Sequence, residues 1–179
     1  MKKTAIATVA ALLLTGILTA GEQIAVNTSF QLKNGKIDGW KINDVYKKQD
    51  GTPTGKVSVE TKDGKNILHF EVSGGKESHF YSARFPANEN DMIVTKVTAY
   101  GTGTLRVSFF CYNAETKFLT ILQSKRVYLT EQPQTFEFKT KIKSPADAQI
   151  TQASLVLMCD SDTDIRISSL ESTLEKAVQ

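Results

Sequence analysis

The 179-residue chain carries two histidines, two cysteines, one tryptophan and four prolines. Two histidines leave little general-base chemistry near neutral pH. His69 and His79 both fall in strand-like segments, and neither neighbours a nucleophile motif. A Gly-x-Ser-x-Gly elbow, a His-Glu-x-x-His pair, a phosphate loop and a dinucleotide fingerprint are all missing. Glycoside hydrolysis needs two carboxyl groups on facing walls of a cleft, whereas the acidic residues here gather in turns. The chain is therefore expected not to be an enzyme. Charge of one sign is lacking too: 22 Lys and Arg face 19 Asp and Glu. Without Lys2 and Lys3, which belong to a leader, the count is 20 against 19, so no electrostatic case for nucleic acid remains. At 40% hydrophobic and 23% charged the composition is that of a globular domain, and the length fits one.

The longest uncharged run is at the start. Met1-Lys2-Lys3 is followed by Thr4 to Ala20 with no charge, and small residues close the run before Glu22. A basic start, an apolar middle and a small-residue exit are the parts of a secretory signal peptide. The run resembles leaders of bacterial outer-membrane proteins. It holds four threonines and is short for a span, which needs about 20 apolar positions. The expectation is a signal peptide over 1–21, cleaved after Ala20 or Gly21, with no membrane span afterwards and a secreted or periplasmic product. Cys111 and Cys159 would then meet an oxidising compartment. A disulfide and two buried free thiols are both consistent with their inward strand phase.

Helical periodicity is absent beyond Ile24. Period-2 alternation replaces it. Val57 and Val59 alternate with polar residues, Lys62-Asp63-Gly64-Lys65-Asn66 is a turn cluster, and Leu68, Phe70 and Val72 alternate again, which predicts a hairpin. Ile93 to Tyr100 is rich in β-branched residues, and Gly101-Thr102-Gly103 reads as a tight turn. Leu105, Val107, Phe109 and Cys111 share one face of the next strand; Arg106, Ser108, Phe110 and Tyr112 share the other. Phe136, Phe138 and Ile142 alternate, as do Ala153, Leu155, Leu157 and Cys159, and Ile165 and Ile167 open a last strand. Phe118 to Leu129 is less regular. Nine to eleven short strands without intervening helices predict an all-β antiparallel β-sandwich. The expected domain spans 22–170, with 171–179 a tail that frays or makes one helical turn around Leu174. Asp160, Asp162 and Asp164 have the spacing of a calcium loop, but Ile165 stands where such a loop turns on glycine; an acidic turn between strands is the expectation.

Val26-Asn27-Thr28-Ser29-Phe30-Gln31 followed by Ile37-Asp38-Gly39-Trp40 resembles the opening of galactose-binding-like jelly-roll carbohydrate-binding modules, the type appended to xylanases and glucanases. Val94 to Gly103, Leu105 to Tyr112, Ala153 to Leu157 and Ile165 to Leu170 resemble that family's later strands, so the likeness covers most of 24–170. It implies a jelly roll and a polysaccharide or glycan as partner. The family's structural calcium draws on acidic groups where Gln31 and Ser168 or Ser169 stand in this chain. Hard cations want charged oxygens, so no calcium and no other cofactor is expected.

Aromatic rings pack against the C–H faces of sugars while neighbouring polar groups take the hydroxyls. Arg106, Phe110 and Tyr112 offer that mixture on one strand face. Tyr100 shares the phase on the preceding strand if the turn is tight, and Tyr81 and Tyr46 could join from neighbouring elements. Phe110 could instead pack under a covering loop. Trp40, Phe30, Phe70, Phe109, Phe136 and Phe138 are expected in the core. The alternative function is a structural or protein-interaction sandwich of the cell envelope, with an envelope protein as partner and an apolar patch or free edge strand exposed.

Overall fold

The computed structural model describes residues 21–24, 26–43, 47–74 and 77–177; the expected leader, apart from Gly21, lies outside them. Fourteen strands follow in order: β1 (Glu22–Gln23), β2 (Leu32–Lys33), β3 (Lys36–Ile37), β4 (Trp40–Ile42), β5 (Gly55–Lys62), β6 (Lys65–Val72), β7 (Glu77–Pro86), β8 (Met92–Thr102), β9 (Thr104–Tyr112), β10 (Phe118–Gln123), β11 (Val127–Tyr128), β12 (Gln134–Lys141), β13 (Gln152–Asp160) and β14 (Thr163–Glu175). Five of these are two or three residues long, too short to print a period on the sequence. One sheet runs β12-β8-β14-β6-β5, with β1 added to β14. The other runs β10-β9-β13-β7-β4, with β11 added to β9. Every pairing in both sheets is antiparallel. Among the described residues no helix is long and apolar enough to cross a membrane.

The predicted hairpin closes with Lys62 opposite Lys65, leaving Asp63 and Gly64 as the turn, both at positive φ (52° and 74°). Asp-Gly suits such a turn because both central positions need positive φ. The side chains expected inside meet between the sheets: Leu105, Val107, Phe109 and Cys111 of β9 lie in one core with Leu68 and Phe70 of β6 and Ile165 and Ile167 of β14, all fully buried. Phe136 differs: it packs against this cluster only half-buried, on the edge strand β12.

The N-terminal motif has a packing reason. Gln31 donates its backbone N–H to Asn27 Oδ1 at 2.9 Å, and Asn27 Nδ2 donates to the carbonyls of Gln31 and Asp38 at 2.9 and 3.0 Å. Trp40 Nε1 donates to the Asn27 carbonyl at 2.8 Å, and the indole stacks on Phe80 with centroids 4.9 Å apart. Asn27 thus folds the segment over the end of the sandwich, Gly39 turns it at φ 74°, and Trp40 and Phe30 are driven into the core as expected.

Three expectations need correction. The tail beyond Glu171 is the second half of β14: Leu174 is 4% exposed and pairs with Ile93 and Glu22, so the strand neither frays nor coils before Glu175. The Gly101-Thr102-Gly103 turn joins strands of different sheets, since β8 belongs to one and β9 to the other. The disulfide alternative fails on register. Cys111 faces Ala153 on β13, and Cys159 lies six residues further along that strand, about 20 Å away by strand rise. A disulfide needs Cα atoms within about 7 Å. Both cysteines are buried free thiols; burial pushes Cys111 up to about 12 and Cys159 well above the usual thiol range. We expect neither thiol to react with a disulfide exchange reagent until denaturant is added, and reductant to leave the melting temperature unchanged. Stoichiometric labelling of the folded protein would contradict this placement.

Candidate functional site

The outward face of the β10-β9-β13-β7-β4 sheet is apolar where an outer face would ordinarily be polar. Outward Val156 and Met158 of β13 are as buried as the inward Leu155 and Leu157. Register sets the neighbours: Ser108 opposes Val156, Phe110 opposes Ser154, Val156 opposes Tyr81, and Met158 opposes His79.

On this floor stands an aromatic cluster centred on Phe110. Tyr81 and His79 approach it from β7, each with centroids 5.7 Å away, and Phe118 meets it edge-on from β10 at 5.9 Å. Phe118 also meets Tyr112 at 6.0 Å, and Arg84 holds its guanidinium carbon 4.2 Å from the Tyr112 ring centre. Phe110 and Tyr81 are half-exposed, and Phe118 is 52% exposed. Arg84 reaches this face because β7 carries a bulge. Ser154 opposes Arg84 while Val156 opposes Tyr81, so β7 spends three residues where β13 spends two. The Ser82 hydroxyl accepts from the Leu155 N–H at 3.0 Å and donates to the Ala83 carbonyl at 2.7 Å, which holds the extra residue in place.

The opposite end of the face is ionic. Arg106 Nη2 lies 3.1 Å from Glu77 Oε2 and 3.0 Å from Asp160 Oδ1, and its Nη1 donates to Gln123 Oε1 at 3.2 Å. Arg126 Nε adds a 2.8 Å bond to Asp160 Oδ2, which also accepts from the Thr104 hydroxyl at 2.7 Å. His79 Nε2 is 3.1 Å from Glu77 Oε1. Burial holds the His79 imidazole below its ordinary pKa, and the Glu77 carboxylate beside it opposes that effect. Between Arg106 and Phe110 along β9, the Ser108 hydroxyl oxygen is buried without a hydrogen-bond partner.

Of the residues expected to bind ligand, Arg106, Phe110, Tyr112 and Tyr81 come together on this face, although Tyr112 is only 9% exposed. Tyr100 does not join them. It sits on β8, opposite Arg166 of β14, on the outside of the other sheet, because the glycine turn crosses the sandwich. Tyr46 lies outside the described residues. Sequence reasoning missed Phe118, His79 and Arg84. The acidic turn is likewise split between sheets: Asp160 joins Arg106 and Arg126, while Asp164 lies 2.7 Å from His69 Nε2 on the far side.

Two places invite a cation. His69, Glu71 and Asp164 have ligand atoms within 4.8 Å of one another. Their carboxylates are already engaged: Lys56 pairs with Glu71 and Arg166 with Asp164, and the His69 ring nitrogens lie 2.7 Å from Asp164 and 3.4 Å from Glu60. Gln31 and Ser168 do line one hollow, together with Ser169, Lys65 and Glu171. Gln31 and Ser168 give it an amide and a hydroxyl that leans 3.4 Å toward the Thr98 carbonyl, and its single carboxylate, Glu171, shares the lining with the Lys65 ammonium, a poor set for a hard dication. These residues do not fit the family's calcium.

No protein-family model matches the chain, and no curated protein matches it. Solved structures do. The CBM22-1 xylan-binding domain from Paenibacillus barcinonensis Xyn10C is 14% identical, with a TM-score of 0.59 over 89% of this chain and 99% of that one. The fold is that of the jelly-roll carbohydrate-binding modules. The same jelly roll also appears in a Stig cyclase, Fisc from Fischerella sp. TAU, at 13% identity and a TM-score of 0.60 over 89% of this chain and all of that one. It appears again in the enzymatically active domain of tailspike protein 4 from bacteriophage CBA120, at 12% identity and a TM-score of 0.58. There the match covers 82% of this chain and 22% of the tailspike, so the chain spans under a quarter of that protein's length. At such identities the likeness carries fold and nothing finer.

Proposed function

We propose that this is an exported, non-catalytic carbohydrate-binding protein that holds a glycan against the Tyr81–Phe110–Phe118 face. The observation that carries this reading is the accessible aromatic cluster set beside a polar network. Rings offer apolar faces to pyranose C–H groups, while Arg106, Gln123 and Glu77 offer donors and acceptors for hydroxyls. The neighbouring xylan-binding domain supports the reading by analogy of fold. A secreted or periplasmic location follows from the leader-like start. Catalysis finds less support, because Glu77, His79, Asp160 and Arg106 are each engaged by another member of the network. The alternative, an envelope protein-interaction module, draws on Tyr128 and Leu32, which are 71% and 54% exposed; neither belongs to the aromatic cluster.

Native affinity electrophoresis against a panel of xylan, β-glucan, mannan and pectin tests the reading. Tyr81→Ala and Phe118→Ala should each weaken retardation by about tenfold, the order expected for one lost ring contact. Their melting temperatures should stay close to the parent's, since both rings are partly in solvent. A parent protein that no polysaccharide retards would defeat the proposal, and unchanged retardation of both variants would move the site elsewhere.

A further inference from the structure

Charge is spread unevenly along the aromatic face. At the Asp160 end two guanidiniums, Arg106 and Arg126, meet two carboxylates, Glu77 and Asp160, and the charges balance. At the Trp40 end lies a cleft of about 440 Å³, within the size range of small-ligand sites. Its lining includes Lys41, Arg84, Tyr81, Tyr112 and Ser154, and no carboxylate. Neither cation forms an ion pair among the described residues. Lys41 stands directly opposite Tyr81 in the β4–β7 register, so both side chains leave the same side of the sheet. The β7 bulge brings Arg84 to that side as well, and Tyr112 holds its guanidinium in place. Two unpaired cations therefore flank two tyrosines at one end of a face whose other charges cancel.

We infer that this cleft selects an acidic sugar residue, a uronate, within the bound polysaccharide; the inference rests on the glycan reading above. A sugar ring lies against Tyr81 while its carboxylate meets Arg84 and Lys41. The guanidinium fork matches a planar carboxylate in two parallel hydrogen bonds, and lysine adds a point charge. A neutral glycan would occupy the same aromatic face and leave both cations solvated.

A matched pair of polymers isolates the effect: polygalacturonate and its methyl-esterified form share a backbone and differ in charge. Parent protein in affinity electrophoresis, at about 50 mM salt where surface charges are weakly screened, should bind the acid form roughly three- to tenfold more tightly. That is the size expected of two exposed ion pairs. Lys41→Gln with Arg84→Gln should abolish the preference, so that the acid and esterified polymers retard the variant alike. Both side chains are exposed, and a melting curve checks that the double variant is folded. Lys141→Gln with Lys143→Gln removes the same charge from the rim of a different hollow and should keep the preference. Equal binding of both polymers by the parent overturns the inference and leaves the glycan reading standing. Equal loss from both double variants overturns it too, since diffuse charge would then explain the preference. Retardation by no polysaccharide ends both.

Discussion

Replacing Gly101 by alanine is expected to cost on the order of 4 kcal/mol, a large part of the roughly 5–15 kcal/mol that holds a domain folded. Gly101 sits at φ 123°, a conformation L side chains rarely adopt, and a Cβ built there would lie 2.3 Å from the Asp164 carbonyl oxygen and 3.0 Å from Ile165 Cα. Both obstacles are backbone of β14, and Gly101 cannot retreat. It is paired with Ile165 in the sheet, and its N–H donates to the Thr130 carbonyl at 2.9 Å. For a chain of this size each kcal/mol moves the melting point by about 2–4 °C, so Gly101→Ala should melt about 8–16 °C lower. Gly64→Ala is the control. Gly64 also has positive φ, at 74°, but nothing lies within 4 Å of its absent Cβ, so only backbone strain of about 1 kcal/mol is expected. Similar melting points for the two variants would show that the turn between the sheets is not close-packed.

The same turn marks where sequence reasoning stopped. Alternation identified the inward residues of β6, β9 and β13, because a one-residue slip would expose a whole apolar set. Alternation carries no label for which sheet a strand joins. Gly101-Thr102-Gly103 looked like a hairpin closure, so Tyr100 was expected beside Tyr112; the glycines instead carry the chain across the sandwich. Bulges hid other residues. A regular β7 would send Arg84 to the face opposite Tyr81, and the inserted residue at Ser82–Ala83 reverses that. Another irregularity between Phe118 and Thr120 disguised the start of β10 and with it Phe118. In β14 the period continues through Leu170, Ser172 and Leu174, but its middle inward member is a serine. The Ser172 hydroxyl is buried and lies 2.8 Å from the Thr95 hydroxyl across the β8 pairing. A polar residue satisfied by a partner 77 residues away reads, in sequence, as the end of a strand. Arg106 was recognisable as outward-facing, yet its partners Glu77 and Asp160 come from β7 and β13, and no local pattern joins them.

Arg106→Met is expected to cost about 3 kcal/mol, because it strands carboxylates instead of removing a pair. Arg106 is 16% exposed and its partners Glu77 and Asp160 are each 23% exposed. A pair shielded to this degree contributes little net stability over apolar packing, but deleting one member leaves its counterpart charged and poorly solvated. The loss should fall unequally on the two acids. Asp160 keeps Arg126 and the Thr104 hydroxyl, whereas Glu77 keeps only His79 among its described side-chain partners. Arg106→Met with Glu77→Gln should therefore recover more stability than Arg106→Met with Asp160→Asn, and denaturant titration of the four variants forms the cycle that measures it. Arg106 also orients Gln123 at the rim of the aromatic face, so the single variant should bind glycan more weakly even at temperatures where it is fully folded. Equal recovery by the two double variants would mean that Arg106 serves packing alone and leaves neither carboxylate stranded.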